Sequence, residues 1–461
     1  MSETALPPAR PAPVPPARSV FRSPGFKFLV TGILTVVLAV PLFMVWMLKD
    51  EREMRALEVR GDIARDWGGS QTIIGPMLAV PFTIRETSGA GSSEQVRTVS
   101  RTALFLPDGY SAKAVADTDI RRVAIFDVPA YVTDITLQAS FGTLDQTVFG
   151  PNLQSIDWSG ARLVVSVGDL TGLETASISF DGATLPIGPN DRLSTSVAAT
   201  LEGVLPASAR SAGASSAIAS GFKATASFRL KGTDRLAVAP IGRDSEIALS
   251  GDWPHPGFQV GALPSEREVR ADGFAAVWRI PYLARGFPQA WIFEDDPSRL
   301  SNLAVGVDFK DPVDFYALVE RALKYGLMFI SAVFGVVFVL EVLSPRGIHP
   351  VQYLLVGLIQ IFFYVLLLAL AEHIGFGIAY AIASIATIGV ISVFIGLALE
   401  SRRRALAAAL SLGTVFAVLY AILRLEDAAL LAGAAVGFVA LSAALFATRR
   451  VDWSGRGAPS V

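Results

Sequence analysis

No cysteine occurs among the 461 residues. That excludes disulfides, thiolate metal sites and cysteine nucleophiles, and leaves the compartment open. Histidine is nearly as scarce, with three residues. The expected topology separates them: His255 in a large polar region, His349 and His373 in short joints on opposite sides of a membrane. A histidine-built zinc site is therefore not expected. Nor is there an excess of charge, since 39 Lys and Arg stand against 41 Asp and Glu, a formal net charge of −2. A nucleic-acid partner, which would require a clustered basic face, is not expected. The chain carries no HExxH, no GxSxG elbow and no GxxxxGK[ST] loop, so no catalytic residue, cofactor or metal is predicted. The acidic run Glu294-Asp295-Asp296 lacks the alternating oxygen-ligand spacing of a calcium loop and reads as solvated surface.

What the chain has in abundance is apolar residue, 52 % of the total, with a mean hydropathy of +0.49. An ordinary soluble domain is less oily. Crossing a hydrocarbon core takes roughly 20 apolar residues, and six runs qualify: 26–48, 323–343, 351–371, 376–399, 405–423 and 428–447. The last five follow one another through the short joints SPRGIHP, EHIG, ESRRR and RLED, so residues 322–448 read as a five-helix transmembrane bundle. The first is predicted to be an uncleaved signal anchor, because its apolar core exceeds a signal-peptide h-region and no small-x-small site follows. Residues 1–25, LPPARPAPVPPARS included, read as a disordered Pro-rich tail.

Lys and Arg set the orientation. Placing Arg10, Arg18, Arg22 and Lys27 in the cytoplasm puts Arg346, Arg402, Arg403 and Arg404, and Arg449 and Arg450 in the 449–461 tail, on the same side. The opposite joints carry Glu372, Glu426 and Asp427 against one Arg424. Both termini are thus predicted to be cytoplasmic. Residues 49–321 are expected outside, with Lys49, Arg52, Arg321 and Lys324 as exceptions that a long translocated domain tolerates. Within that region, 49–67 has helical spacing and ends at Gly68-Gly69. Period-two segments such as ARLVVSVGD and FKATASFRLKG follow, broken by Asp-Gly and Lys-Gly turns, which predicts one large antiparallel β-rich domain. The fold class is membrane α+β.

Polar groups at membrane depth cost free energy unless partnered. Tyr353, Gln360 and Tyr364, spaced seven and four apart, share one face of the third span. Two readings stay open for them: interhelical hydrogen bonds, or a polar path for a transported or lipid-like substrate. Glu341 near one helix end, and Glu372 with His373 at another, read either as interfacial anchors or, for the last two, as a titrating pair. In RGIHPVQY, Arg346 is an orientation charge, Pro350 suits a first helical turn, and His349 occupies the capping region before it. Gln352 can satisfy backbone donors of that turn, and Tyr353 fits an interfacial aromatic belt.

Several long stretches resemble one family. FVLEVLSPRGIHPVQYLLVGLIQIFFYVLLLALAEHIGFGIAYAIAS is similar to the signature of the CreD family of bacterial inner-membrane proteins. EDAALLAGAAVGFVALSAALFATRRVDW resembles that family's ending. In the polar region, WGGSQTIIGPMLAVPF and DWPHPGFQVGALPSEREVRADGFAAVWRIPYLARGFPQAW follow its patterns as well. Ala369-Leu370-Ala371 departs from the family's Ser-Leu-Ser before Glu-His. The resemblance implies a protein of cell-envelope integrity within a two-component, stress-responsive regulon, and supplies no reaction. The function expected is therefore non-enzymatic: a periplasmic β domain meets an unidentified envelope component while the bundle sits in the lipid bilayer. A permease using the third span and, at lower odds, a membrane enzyme are the alternatives. The sequence leaves the oligomeric state open.

Overall fold

The computed structural model describes residues 24–88, 95–123, 126–190, 199–210, 218, 221–293, 298–309, 315–425 and 429–447. The Pro-rich tail up to residue 23, the acidic run 294–296, Glu426, Asp427, Arg449 and Arg450 lie outside them. The chain divides into two compact units, Met1–Met54 with Asp314–Val461, and Arg55–Val313.

The first unit is helical. Helices α1 (Pro24–Val37) and α2 (Ala39–Trp67) are followed, after the second unit, by α3 (Phe315–Lys324), α4 (Gly326–Val342), α5 (Pro350–Ile374), α6 (Phe376–Ala398), α7 (Arg402–Arg424) and α8 (Ala429–Ala447). Among the described residues four helices are long and apolar enough to cross a membrane: the near-continuous 43-residue stretch Gly25–Trp67, α5, α6 and α7. The pair α3 and α4, bent by 56°, makes a fifth if it counts as one span.

The 49–67 helix continues out of the first span, as its helical spacing suggests, since α2 runs unbroken through Lys49. Two boundaries differ from the sequence expectation. The first span is interrupted at Leu38. Pro41 explains it: with no N–H and a ring that crowds the carbonyl four residues back, it opens the helix at Val37. The expected 323–343 span is also cut, at Tyr325. Residues up to Lys324 form an amphipathic helix that buries Tyr316, Val319, Ala322 and Leu323 and carries Glu320, Arg321 and Lys324. Those charges keep α3 out of the apolar run, which starts at Gly326.

The second unit is built from two sheets. A ten-stranded sheet is organised on the 18-residue strand Gln71–Ser88, and an eight-stranded sheet on the hairpin Gly109–Val123 with Phe126–Phe141. Period-two patterning places their side chains. Along Phe222–Thr233, Phe222, Ala224, Ala226, Phe228 and Leu230 point inward and Lys223 outward. Residues of both sheets meet in one continuous apolar core, so the region is a single elaborated β domain. The expected antiparallel pairing holds for all but two contacts. Gln71–Ser88 pairs in parallel with Arg235–Val238, and Asp244–Gly251 in parallel with Gly109–Val123. Each of these strands enters from a distant part of the chain rather than through a hairpin, which frees its direction. Gly75 has φ +132°, and a Cβ there would come within 2.7 Å of the Val164 carbonyl oxygen. Only glycine fits that irregularity in the long strand.

Candidate functional site

The start of α5 resolves the polarity of RGIHPVQY. His349 is the N-cap: its Nδ1 accepts from the Val351 N–H at 3.3 Å, while the His349 N–H donates to Gln352 Oε1 at 2.9 Å. This is a capping box with histidine in the usual Ser/Thr position, and Pro350 occupies the first turn. One turn further in, the Tyr353 hydroxyl donates to Glu341 Oε2 at 2.7 Å. Glu341, only 4 % exposed, also accepts from the Ile348 N–H at 2.8 Å and forms an ion pair with Lys27 of α1. A lone acid buried this deeply would be untenable. Three donors from α1, the joint and α5 make it tenable.

Around this cluster, Arg346 pairs with Glu400 at 2.5 Å. Arg404 donates to the Leu343 and Leu399 carbonyls at 2.9 and 3.4 Å, serving the C-terminal ends of α4 and α6. Arg402 and Arg403 are exposed.

Near the other end of α5 a second carboxylate is arranged alike. Glu372, whose side chain is 7 % exposed, accepts from the Tyr316 hydroxyl at 3.2 Å and faces Arg52 of α2 at 4.0 Å. Beside it Lys49, 2 % exposed, bonds Glu53 at 2.8 Å and Glu320 at 3.2 Å, and Lys324 reaches Glu320 at 2.8 Å. His373 is exposed. Glu372 engages a tyrosine and an arginine; consecutive helical residues point apart, so the His373 ring does not share that face.

Between the two carboxylates, Gln360 and Tyr364 are completely buried. The shared face predicted for Tyr353, Gln360 and Tyr364 points into the bundle, where Gly357 meets Leu38, at the break between α1 and α2, and Phe334 of α4 so closely that a Cβ would collide. Among the described residues neither amide atom of Gln360 nor the Tyr364 hydroxyl has a hydrogen-bond partner, and the Ser392 hydroxyl of α6 is in the same state, while the Ser384 hydroxyl has the Tyr380 hydroxyl beside it.

The β domain offers a different kind of site. A groove of about 840 Å³ crosses five strands of the eight-stranded sheet. Ser111, Gln138, Lys223, Thr225, Glu246 and Arg279 line it, and Arg279 is held by Glu246 at 3.4 Å and Glu266 at 2.6 Å. The Glu266 carboxyl sits below the usual glutamate range because Arg279 donates to it. Other conspicuous residues of this unit hold joints together. Trp67 lies between Arg121 and Lys231, whose cationic groups are 4.1 and 4.7 Å from its ring centre. Gln71 bridges Asp169 and Lys231, and Arg285, buried with no carboxylate partner among the described residues, donates to the carbonyls of Ile241 and Phe287 and to Gln289 Oε1. Burial pushes the Arg285 guanidinium down from its ordinary value. Among the described residues no group of three or more His, Asp or Glu side chains could hold a metal ion.

This arrangement coincides with a known family. The model of "Inner membrane protein CreD" matches residues 23–454. The chain belongs to the CreD family. It is similar to the inner membrane protein CreD of Escherichia coli (strain K12), 30 % identical over 423 residues, which is 91 % of each chain. Membership and the apolar helices place the protein in the inner membrane. The stretches that resembled the CreD pattern turn out to be structural joints: the α5 cap, the Trp67–Gln71 corner and the Arg285 loop. Sequence reasoning treated Lys27 as a topology charge, Arg52 as an exception to the orientation count and Glu341 as an anchor, and passed over Tyr316. The available signal was one acid and one lysine placed inside otherwise apolar runs.

Proposed function

We propose that this CreD-family protein is a non-enzymatic component of the cell envelope. On this reading it crosses the inner membrane six times, with α1 and the first part of α2, α4, α5, α6, α7 and α8 as the spans. Both termini are cytoplasmic and the β domain stands in the periplasm. The domain's groove engages an envelope component, and the bundle holds the domain at the membrane in support of envelope integrity under stress.

The observation that carries the reading is the groove itself. A sheet face lined with hydroxyl, amide and charged groups, on a domain whose chain enters and leaves through membrane helices, suits recognition of a polar partner at the membrane surface. The supporting arguments are the Arg-rich joints at Arg346 and Arg402–Arg404 and the family membership.

Because the chain lacks cysteine, single cysteines test the topology directly. An impermeant maleimide added to spheroplasts should label Leu263→Cys and leave Pro345→Cys unlabelled until the cells are opened; equal labelling of both would refute the orientation. For the contact, photoreactive residues at Gln138 and Thr225 should capture a common adduct in living cells. Adducts no different from those at Leu263, which is exposed outside the groove, would remove the groove from the argument and leave the topology standing.

A further inference from the structure

Four buried polar side chains of the bundle, Gln360, Tyr364 and Ser392 without a partner among the described residues and Ser384 beside the Tyr380 hydroxyl, occupy one slab. Counting from Gly375 at the α5–α6 turn, Ser384 and Ser392 lie nine and 17 residues away, about 13 and 25 Å at 1.5 Å per residue. Tyr364 and Gln360, 11 and 15 residues back along the antiparallel partner, fall at about 16 and 22 Å. Each is more than nine-tenths buried. The serines could turn to their own helix, as Ser331 does to Leu327 O at 2.8 Å. Gln360 has two donors and an acceptor to satisfy, and its own backbone cannot serve them all.

The slab sits midway between two similar stations. Each is a carboxylate that accepts from a tyrosine hydroxyl and faces a cation of the N-terminal helices: Glu341 with Tyr353 and Lys27, and Glu372 with Tyr316 and Arg52. From Tyr353 to Glu372 is 19 residues of α5, about 28 Å, close to the thickness of a hydrocarbon core. Gly357, with Leu38 and Phe334 beside it, lies on one side of the slab along α5, and Leu367 and Leu368 lie on the other.

We propose that the inner faces of α5 and α6 enclose a water-binding site at mid-depth that relays protons between the Glu341 and Glu372 stations. The chemistry of the side chains selects the cargo. Amide, phenol and serine hydroxyls are neutral groups that suit water and a passing proton. They do not suit a dehydrated ion or a charged solute, whose charge nothing in the slab would neutralise. One carboxylate takes up a proton from its own aqueous side and passes it to the bound water, the water gives a proton to the far carboxylate, and that acid releases it to the opposite aqueous side. Both carboxylates return to their ionised form, so charge and atoms balance with no other reactant. The inference rests on α5 and α6 spanning the membrane and is independent of what the β domain touches.

Two measurements on the full chain decide it. Single-cysteine variants Ser384→Cys and Ser392→Cys in native membranes are treated with methyl methanethiosulfonate, denatured, and their remaining thiols counted by maleimide-polyethylene-glycol gel shift. Only a hydrated thiol ionises and reacts, so both should react at least about tenfold faster than Ile385→Cys and Val393→Cys, which face away from the bundle. Equal rates mean a dry, packed slab and overturn the proposal. In phosphatidylethanolamine–phosphatidylglycerol vesicles holding a pH dye, a valinomycin-clamped potassium gradient should acidify the lumen faster with the protein than without it. Tyr364→Phe, which removes one oxygen and keeps the shape, and Gln360→Leu should each return the rate to that of empty vesicles. Reactive thiols without such flux, or flux indifferent to both substitutions, overturn the relay.

Discussion

Removing the Glu341 carboxylate should be among the most damaging single changes in the helical unit. Glu341→Ala leaves the Tyr353 hydroxyl and the Ile348 N–H unserved and the Lys27 ammonium with no counter-charge, only the Ile348 carbonyl at 3.4 Å. The Lys27 side chain is 18 % exposed, so water compensates for little of the lost partner. Breaking a buried pair by deleting one member costs about 3–5 kcal/mol, and a buried N–H left unpaired adds about 1–3 kcal/mol where it cannot rotate to another acceptor. Against a total of about 5–15 kcal/mol, a loss near 4 kcal/mol is severe. Glu341→Gln keeps an acceptor for Tyr353 or Ile348 and strands only the ammonium, so its loss should be smaller. The double variant Lys27→Met/Glu341→Met should recover much of the loss, because apolar replacement of a whole buried pair is often neutral. Unfolding of the full chain in mixed micelles, followed by tryptophan fluorescence, measures these variants together with the single substitutions Lys27→Met and Glu341→Met. A cost below about 1 kcal/mol for Glu341→Ala, or simple additivity of Lys27→Met and Glu341→Met in the double variant, would show that the pair is solvated after all.

The cap of α5 predicts a gentler series: His349→Ala should cost about 1 kcal/mol in the same assay, and His349→Asn, itself a good cap, only part of that. A full loss of the proposed envelope function in His349→Ala beside a healthy His349→Asn would mean that capping is what the histidine supplies. In the β domain, Arg285→Leu strips the donors from two carbonyls and a side-chain amide, for a cost of at least about 2 kcal/mol; Arg285→Lys should not rescue it, since a single ammonium cannot reproduce a forked guanidinium. Similar midpoints for wild type and both variants in guanidinium unfolding would refute this. Glu174 accepts a hydrogen bond from Lys231, 2.7 Å away, which holds its carboxyl below the usual glutamate range. A carboxyl depressed in the folded state stabilises above its unfolded value and ceases to do so as pH falls through the folded one. Wild type should therefore exceed Glu174→Gln in stability at neutral pH and converge with it in acid; a pH-independent gap would contradict the assignment.

Apolar runs and period-two alternation made the main architecture legible, because burial in lipid or in a sheet core leaves a local mark on the sequence. The cap was legible for the same reason: His349, Pro350 and Gln352 act within one turn. The break at Leu38 could have been read from Pro41, whose effect falls four residues upstream of the ring. The parallel pairing of Gln71–Ser88 with Arg235–Val238 could not, since nothing local encodes which distant strand arrives beside another. The same holds for the site. That Tyr353, Gln360 and Tyr364 share a face follows from helical spacing; that Tyr353 reaches Glu341, and Glu341 reaches Lys27, depends on contacts 12 and 314 residues apart.

Those long separations bear on how the protein is made. The N-terminal helices carry Lys27 and Lys49, whose carboxylate partners Glu341 and Glu320 lie 314 and 271 residues further on. At about 5–20 residues per second, synthesis of the intervening 271 residues occupies on the order of 15–55 s. Through that interval the first hydrophobic segment resides in the translocation machinery or bilayer with Lys27 and this long-range link of Lys49 still unmatched. Its final seat becomes available only once the β domain has been synthesised and α3 and α4 have followed, so late assembly of the bundle is built into the order of the chain.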